Sequence, residues 1–478
     1  MSGVQQTTDN DTPYTRGEDS GQNQWTWQHY NATVGYDGTF GRHVVSASAG
    51  ILYNIYKTDF SQNGAAGKMV EYRHMTVNGA VNYAYDDRYV ATFSFAADGS
   101  DNYRPGNRWG FYPSLGLGWI VSRERFLRDS RMVDLLKLRA SVGKNGWDPM
   151  GEMRYLWEGY YTGRGGLNTG NSEHTWHGGT ALSYLPNPDV FAEKSLKYDA
   201  GIDLRLWNRL SLNVDLFLEK RSGIVTQDWM IPGASGVDNP PYRNIGRMTN
   251  KGFEVQLSWA DRIGDFNYAL TGMASYNSNK VDYMAEVVTV PTAARTGRRL
   301  DALFGYVADG FYDWDDFDVG GELREGLPKP TFGAVQPGDI KYKNLNGDTV
   351  IDENDQTAIG DSYLPKLQYS FSLAASYKGF DLFALFQGAA GRDVNLLDAP
   401  LQNVAFRDNG NVYGIAEGRW AYYPEQGIDT RATATYPRLS LQDNSNNYRN
   451  STLWKRSGDF LKLRNVEPVS YTHLTLPT

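Results

Sequence analysis

The sequence predicts an all-β protein, part of a transmembrane antiparallel β-barrel with about twelve or thirteen strands and long extracellular loops. Three observations lead there. Apolar and polar residues alternate with period two along much of the chain, as in strands whose two faces meet unlike surroundings. The alternating runs are about nine to thirteen residues long, beyond the usual soluble strand and near the span of a tilted strand in a bilayer. Connections alternate between tight turns and long stretches, which in barrels mark the two sides of the membrane.

Composition agrees. The 478 residues include 51 Gly, 32 Tyr, 13 Trp and 20 Phe, more aromatic and glycine-rich than a soluble α/β enzyme of this size. No run of eighteen apolar residues occurs. That excludes a membrane-spanning helix and leaves a barrel open, because barrel strands never accumulate such a run. With no Cys, disulfides, thiolate metal sites and Cys nucleophiles are excluded. A net charge of −8 without a basic block speaks against nucleic acid as a partner.

Residues 1–24 form a polar stretch with neither the charged start nor the apolar segment of a signal peptide, and read as loop. The barrel region is expected over 25–466. A hairpin is expected for 77–85 with 89–97, turning at Asp86-Asp87. The connection 122–134 is intermediate in length and is expected to hold a helical turn. Next, Leu136, Leu138, Ala140 and Val142 share one face, opposite Lys137, Arg139 and Ser141. Then Tyr198, Ala200, Ile202, Leu204 and Leu206 oppose Lys197, Asp199, Asp203 and Arg205. After Trp207-Asn208-Arg209 the alternation resumes, with Leu210, Leu212, Val214, Leu216 and Leu218 opposite Ser211, Asn213, Asp215 and Glu219. Further strands are expected at 253–259, 268–276, 369–377 and 380–386. Long connections fall near 59–70, 99–108, 146–193, 226–244, 281–365 and 393–455. In a compact soluble domain, structureless connections of about fifty residues would count against the assignment; in a barrel they are ordinary.

Three loop motifs are candidates for function. Residues 344–355, within a segment 338–360, follow a Ca²⁺-loop pattern: Asn344, Asn346, Asp348, the Val350 carbonyl, Asp352 and Asp355 fill positions 1, 3, 5, 7, 9 and 12. Position 1 is Asn in place of Asp, position 6 is Thr in place of Gly, and position 12 is the shorter Asp, so a structural Ca²⁺ stands against a hydrogen-bonded polar loop. The 146–193 loop gathers Trp147, Trp157, Tyr160, Tyr161 and Trp176, candidates for stacking against a ligand and equally suited to an aromatic girdle. Glu173, His174 and His177 lack a further strong ligand and read as ordinary loop residues. No nucleophile elbow, Walker A or His-Glu-x-x-His motif is present, so an enzyme is not expected.

Several segments together resemble the SusC/RagA-type TonB-dependent outer-membrane transporters. They are Tyr83-Ala-Tyr-Asp-Asp-Arg-Tyr89, Ala97-Asp98-Gly99-Ser100, Asn107-Arg108-Trp109-Gly110-Phe111-Tyr112-Pro113-Ser114 and Gly118-Trp119-Ile120-Val121-Ser122. Further matches are Leu136-Lys-Leu-Arg-Ala-Ser-Val-Gly143, Asn187-Pro-Asp189 with Glu193-Lys194, Asn244-Ile-Gly246 and Asn250-Lys-Gly-Phe-Glu254. Gly338-Asp-Ile-Lys-Tyr342 and Gly458-Asp-Phe-Leu-Lys-Leu-Arg-Asn465 complete the set, in the family's order from about 31 to 466. The resemblance implies a barrel of about 22 strands in the outer membrane of a Gram-negative, Bacteroidota-type cell, with a plug that engages the TonB complex. It also implies a SusD-like surface lipoprotein and import of oligosaccharides or peptides. Neither plug, TonB box nor early strands are found in this text, so the chain reads as a C-terminal barrel fragment that does not transport by itself. Residues 467–478 resemble translated adapter sequence and read as non-native. Two other classes stand beside this one: a soluble or surface β-protein that binds glycans, its apolar faces forming a core, and an outer-membrane barrel enzyme.

Overall fold

A computed structural model of the chain describes residues 2–6, 24–58, 70–148, 154–159, 161–169, 175–182, 184–232, 239–288, 290–407 and 410–470. The chain divides into two units, residues 1–261 with 282–286, and 262–281 with 287–478.

In the first unit ten antiparallel strands lie in sequence order. They are β1 (Ser2–Gln6), β2 (Gln24–Phe40), β3 (His43–Thr58), β4 (Val70–Tyr85), β5 (Tyr89–Ser100), β6 (Trp109–Ile120), β7 (Val133–Trp147), β8 (Glu193–Leu206), β9 (Leu210–Gln227) and β10 (Tyr242–Ile263). The second unit adds β11 (Phe266–Tyr283), β12 (Leu367–Tyr377), β13 (Phe380–Ala390) and β14 (Phe460–Ser470). The strand count exceeds the expected one because β1, Ser-Gly-Val-Gln-Gln, has no apolar alternation to reveal it. It pairs with 24–28 from within the stretch 1–24 that the sequence reads as loop. At the other end β14 continues pairing through Pro468 to Ser470 along β13, and a proline without an N–H fits a strand at the end of the pairing order.

The hairpins expected for 77–85 with 89–97 and on either side of Trp207-Asn208-Arg209 form. Leu138 opposes Ile202, which opposes Val214; Lys137 opposes Asp203, which opposes Asn213. Parity therefore holds across three strands, and like faces meet like. The tight turns use consecutive left-handed residues, Asp86 and Asp87 at φ 54° and 52° and Trp207 and Asn208 at φ 52° each. That geometry matches the right-handed twist of a hairpin. In the 121–132 connection a 3-10 turn, Val121–Arg123, is followed by the Arg128 amide donating to the Glu124 carbonyl at 2.8 Å, the helical turn expected there.

The apolar face of the sheet is not a core. Val34 is 70% exposed, Leu117 and Leu216 56% each. Large apolar side chains left in water forgo about 1.5–3 kcal/mol each, so a face of this kind calls for lipid. The soluble reading required these residues to be buried. Instead the buried apolar residues lie mainly in the long connections. In the second unit Tyr306, Ile340, Tyr342, Ile351, Val404, Tyr436 and Trp454 pack into one cluster. In the first, Tyr103, Leu156, Val190 and Val225 pack into another.

Candidate functional site

The polar face of β7, β8 and β9 carries a ladder of charges. Arg139 lies between Asp203, at 3.3 Å, and Asp215, at 2.6 Å. Lys137 reaches Asp203 at 3.8 Å, Lys197 reaches Glu219 at 4.0 Å, and Arg221 reaches Glu193 at 3.9 Å. Gly201 makes room for it: a Cβ there would sit 2.6 Å from the Arg139 guanidinium carbon. Half-exposed pairs of this sort are worth about 0–1 kcal/mol each, so the ladder sets the polarity of a wet surface more than it stabilises the sheet.

Trp147 closes that face at its long-loop end. It is the last residue of β7, opposite Glu193 and on the same parity as Lys137 and Arg139. Its ring is 52% exposed, with the Arg221 guanidinium 5.8 Å from the centroid. The next residue fixes its base. Asp148 accepts hydrogen bonds from Tyr72 Oη at 2.6 Å, Tyr103 Oη at 2.9 Å and Asn102 Nδ2 at 2.9 Å. Burial, and then the Asp148 charge, push the Tyr103 phenol far above its ordinary range, so it stays a donor. Sequence reasoning missed Asp148; a carboxylate set between Trp and Pro was the only local sign of it.

The remaining aromatic candidates stand apart. Tyr161 and Trp176, both well exposed, lie on the strand pair Tyr161–Thr169 and Thr175–Leu182. Tyr161 pairs with Leu182 at one end and Trp176 with Asn168 near the other, about 20 Å apart at strand rise. Trp157 is half-buried beside the packed Leu156, its indole nitrogen buried without a hydrogen-bond partner. Tyr160, Glu173 and His174 lie outside the described residues, while His177 pairs with Leu167 on the same strand pair.

The 344–355 loop is braced by its own side chains. Asp355 is fully buried; one carboxylate oxygen accepts the Leu345 amide at 2.7 Å and the other the Asp352 amide at 3.0 Å. Asn344 Oδ1 accepts the Gly347 amide at 2.6 Å, Asn346 Oδ1 the Asp348 amide at 3.0 Å, and Asp348 Oδ1 the Val350 amide at 2.9 Å. Gly347, at φ 78°, makes the sharp bend that position 6 would supply in a Ca²⁺ loop. The oxygen-rich donor set suits a hard cation, but among the described residues no three acidic or His side chains converge to hold one. Each Asp355 oxygen accepts one amide and keeps a further lone pair, so these hydrogen bonds hold the loop without requiring a Ca²⁺ and without barring one.

Beside it lies a buried node that sequence reasoning also missed. Asp339, fully buried, accepts from Arg438 Nε at 2.7 Å, Asn444 Nδ2 at 2.9 Å, Asn447 Nδ2 at 2.9 Å and the Gln336 amide at 2.8 Å. It ties the 338–342 segment to residues about a hundred positions later.

A family model described as TonB dependent receptor-like, beta-barrel, matches residues 2–386, well over half of the chain. The chain belongs to this family. TonB-dependent receptor P26 of Formosa agariphila is 30% identical over 358 residues, covering 71% of this chain and 34% of that protein. TonB-dependent receptor SusC of Bacteroides thetaiotaomicron is 27% identical over 330 residues, covering 63% and 31%. The chain thus spans about a third of the length of these curated relatives. The solved RagAB peptide transporter superposes with a TM-score of 0.67 over 93% of this chain and 49% of its own, at 19% identity, a likeness of fold. The chain is of the SusC/RagA type, an outer-membrane barrel protein.

Proposed function

We propose that the chain forms part of the wall of a TonB-dependent importer that takes up oligosaccharides or peptides handed over by a SusD-like surface lipoprotein. The single observation that carries this is the placement of Trp147. It ends the charged face at the side of the long loops, is half exposed, and is anchored from behind by Asp148. A ring held in that way offers stacking area to a sugar or a peptide side chain at the mouth of a wet lumen. The description of RagAB as a peptide transporter supports the peptide class, and the oligosaccharide class rests on the sequence resemblance alone. The paired ladder below leaves little net charge to select for either. Energy enters through a plug coupled to the TonB complex, which belongs to the complete protein.

The test is uptake by the complete transporter, normalised to folded barrel in the outer membrane. Trp147→Ala and Trp157→Ala are expected to lower the normalised rate, each ring being worth about 0.5–1.5 kcal/mol of contact. Because Trp157 is half-buried against the loop's own packing, its effect should be the smaller. An unchanged rate with reduced abundance would make both rings structural anchors and remove this loop from the substrate path.

A further inference from the structure

At the short-turn end of the first unit, the apolar face bears a groove of about 490 Å³ across β4 to β7. Register explains it. Tyr83, Ala91, Leu117 and Ala140 form one cross-strand row, and Tyr89, Trp119 and Leu138 form a row nearer the turns. The two alanines are too small to fill their row between the rings. The turnward rim is fixed, because Tyr89 Oη and Trp119 Nε1 both donate to one oxygen of Glu124, at 2.6 and 3.1 Å. From that rim runs the 121–132 connection, with Phe126 71% and Met132 48% exposed. Four exposed arginines accompany them: Arg123, Arg125, Arg128 and Arg131.

The acids that face these groups are Asp86, Asp87, Glu124, Asp129 and Asp134. Arg88 occupies Asp86 and Glu124, and Arg42 also reaches Asp86. Arg123 pairs with Asp87 at 2.8 Å and Arg128 with Asp129 at 3.3 Å, while Asp134 accepts the Asn208 amide. Arg125 and Arg131 have no ion-pair partner among the described residues.

A preformed apolar groove, with a rim continued by a connection that carries two guanidiniums outside any ion pair, is complementary to a molecule with an apolar chain and an anionic head. We propose that it holds an acyl chain of an anionic phospholipid from the periplasmic leaflet, with the phosphate taken by Arg125 and Arg131. The planar guanidinium matches a phosphate in geometry as well as in charge. Because Glu124 already locks the rings that form the rim, little ordering is left for the lipid to impose. The assignment rests on the apolar face being the lipid face.

The complete transporter in detergent, titrated with dioleoylphosphatidylglycerol or dioleoylphosphatidylcholine and read by native mass spectrometry, tests it. The anionic lipid should be retained about thirtyfold better, as two basic groups acting together would give. Arg125→Ser with Arg131→Ser should bring its retention down to that of the neutral lipid, and Ala140→Leu, which fills the groove, should also lower it. Equal retention of the two lipids, or unchanged retention in both variants, would overturn the proposal. Abundance in outer-membrane fractions is read separately; a wild-type protein missing from them would refute the lipid-face assignment itself.

Discussion

Leu216 and Phe217 are chain neighbours that point to opposite sides of β9, and the difference is energetic as well as geometric. Leu216 shares its row with Ala200 and Phe253, while Phe217 shares the row of Asp199 and Gly252. An arginine at the lipid-facing position should cost about 2–4 kcal/mol near the midplane and less toward the interface. Leu216→Arg is therefore expected to lower the stability of the folded barrel by that amount, and Leu212→Arg, close to the Trp207 turn, by less. Asn213→Arg, on the wet face, should change little; heat resistance of the complete transporter in detergent measures all three. Faces of this kind are legible in sequence because parity is local: Leu138 and Arg139 announce their sides without any partner. Asp148 and Asp339 are not legible. Each draws its partners from distant segments, Asp339 from Arg438 and Asn447, and no spacing rule connects them.

Elements show where the period-two signal fades. The sequence marks a strand at 253–259, yet β10 runs Tyr242–Ile263. Its first part, Tyr-Arg-Asn-Ile-Gly-Arg-Met-Thr-Asn, has no clean alternation, as expected of a strand that extends beyond the bilayer and is wet on both faces. The long connections, read as loops, are cross-braced and pack their own cores. Asp339→Ala would strand Arg438 within such a brace, at a cost of about 3 kcal/mol. Hydrogen exchange should then quicken at 336–342 and 438–447 while the amides of β12 and β13 keep their protection. Quickening of those strands too would mean that loop layer and wall unfold as one.

The 344–355 loop makes a separate prediction at the same scale. If the amide bonds to Asp355 are enough to hold this loop, its protection from proteolysis should be the same with Ca²⁺ or chelator, and lost in Asp355→Ala. Cleavage that depends on chelator would restore Ca²⁺ to the loop. The pattern of residue types suggests a metal; which amides each Asp355 oxygen accepts can be read only from the folded loop.

For the whole molecule one assignment decides the rest: the apolar face meets lipid and the charged face meets water. This chain has no Cys; in the complete transporter, with any cysteine elsewhere replaced by Ser, single cysteines can be introduced one at a time along β9, from Leu212 to Glu219, and challenged in intact outer membranes with a membrane-impermeant maleimide. Asn213, Asp215, Phe217 and Glu219 are predicted to label, and Leu212, Val214, Leu216 and Leu218 to remain unlabelled until detergent is added. Uniform labelling along the strand, or labelling confined to the leucine and valine positions, would contradict the account.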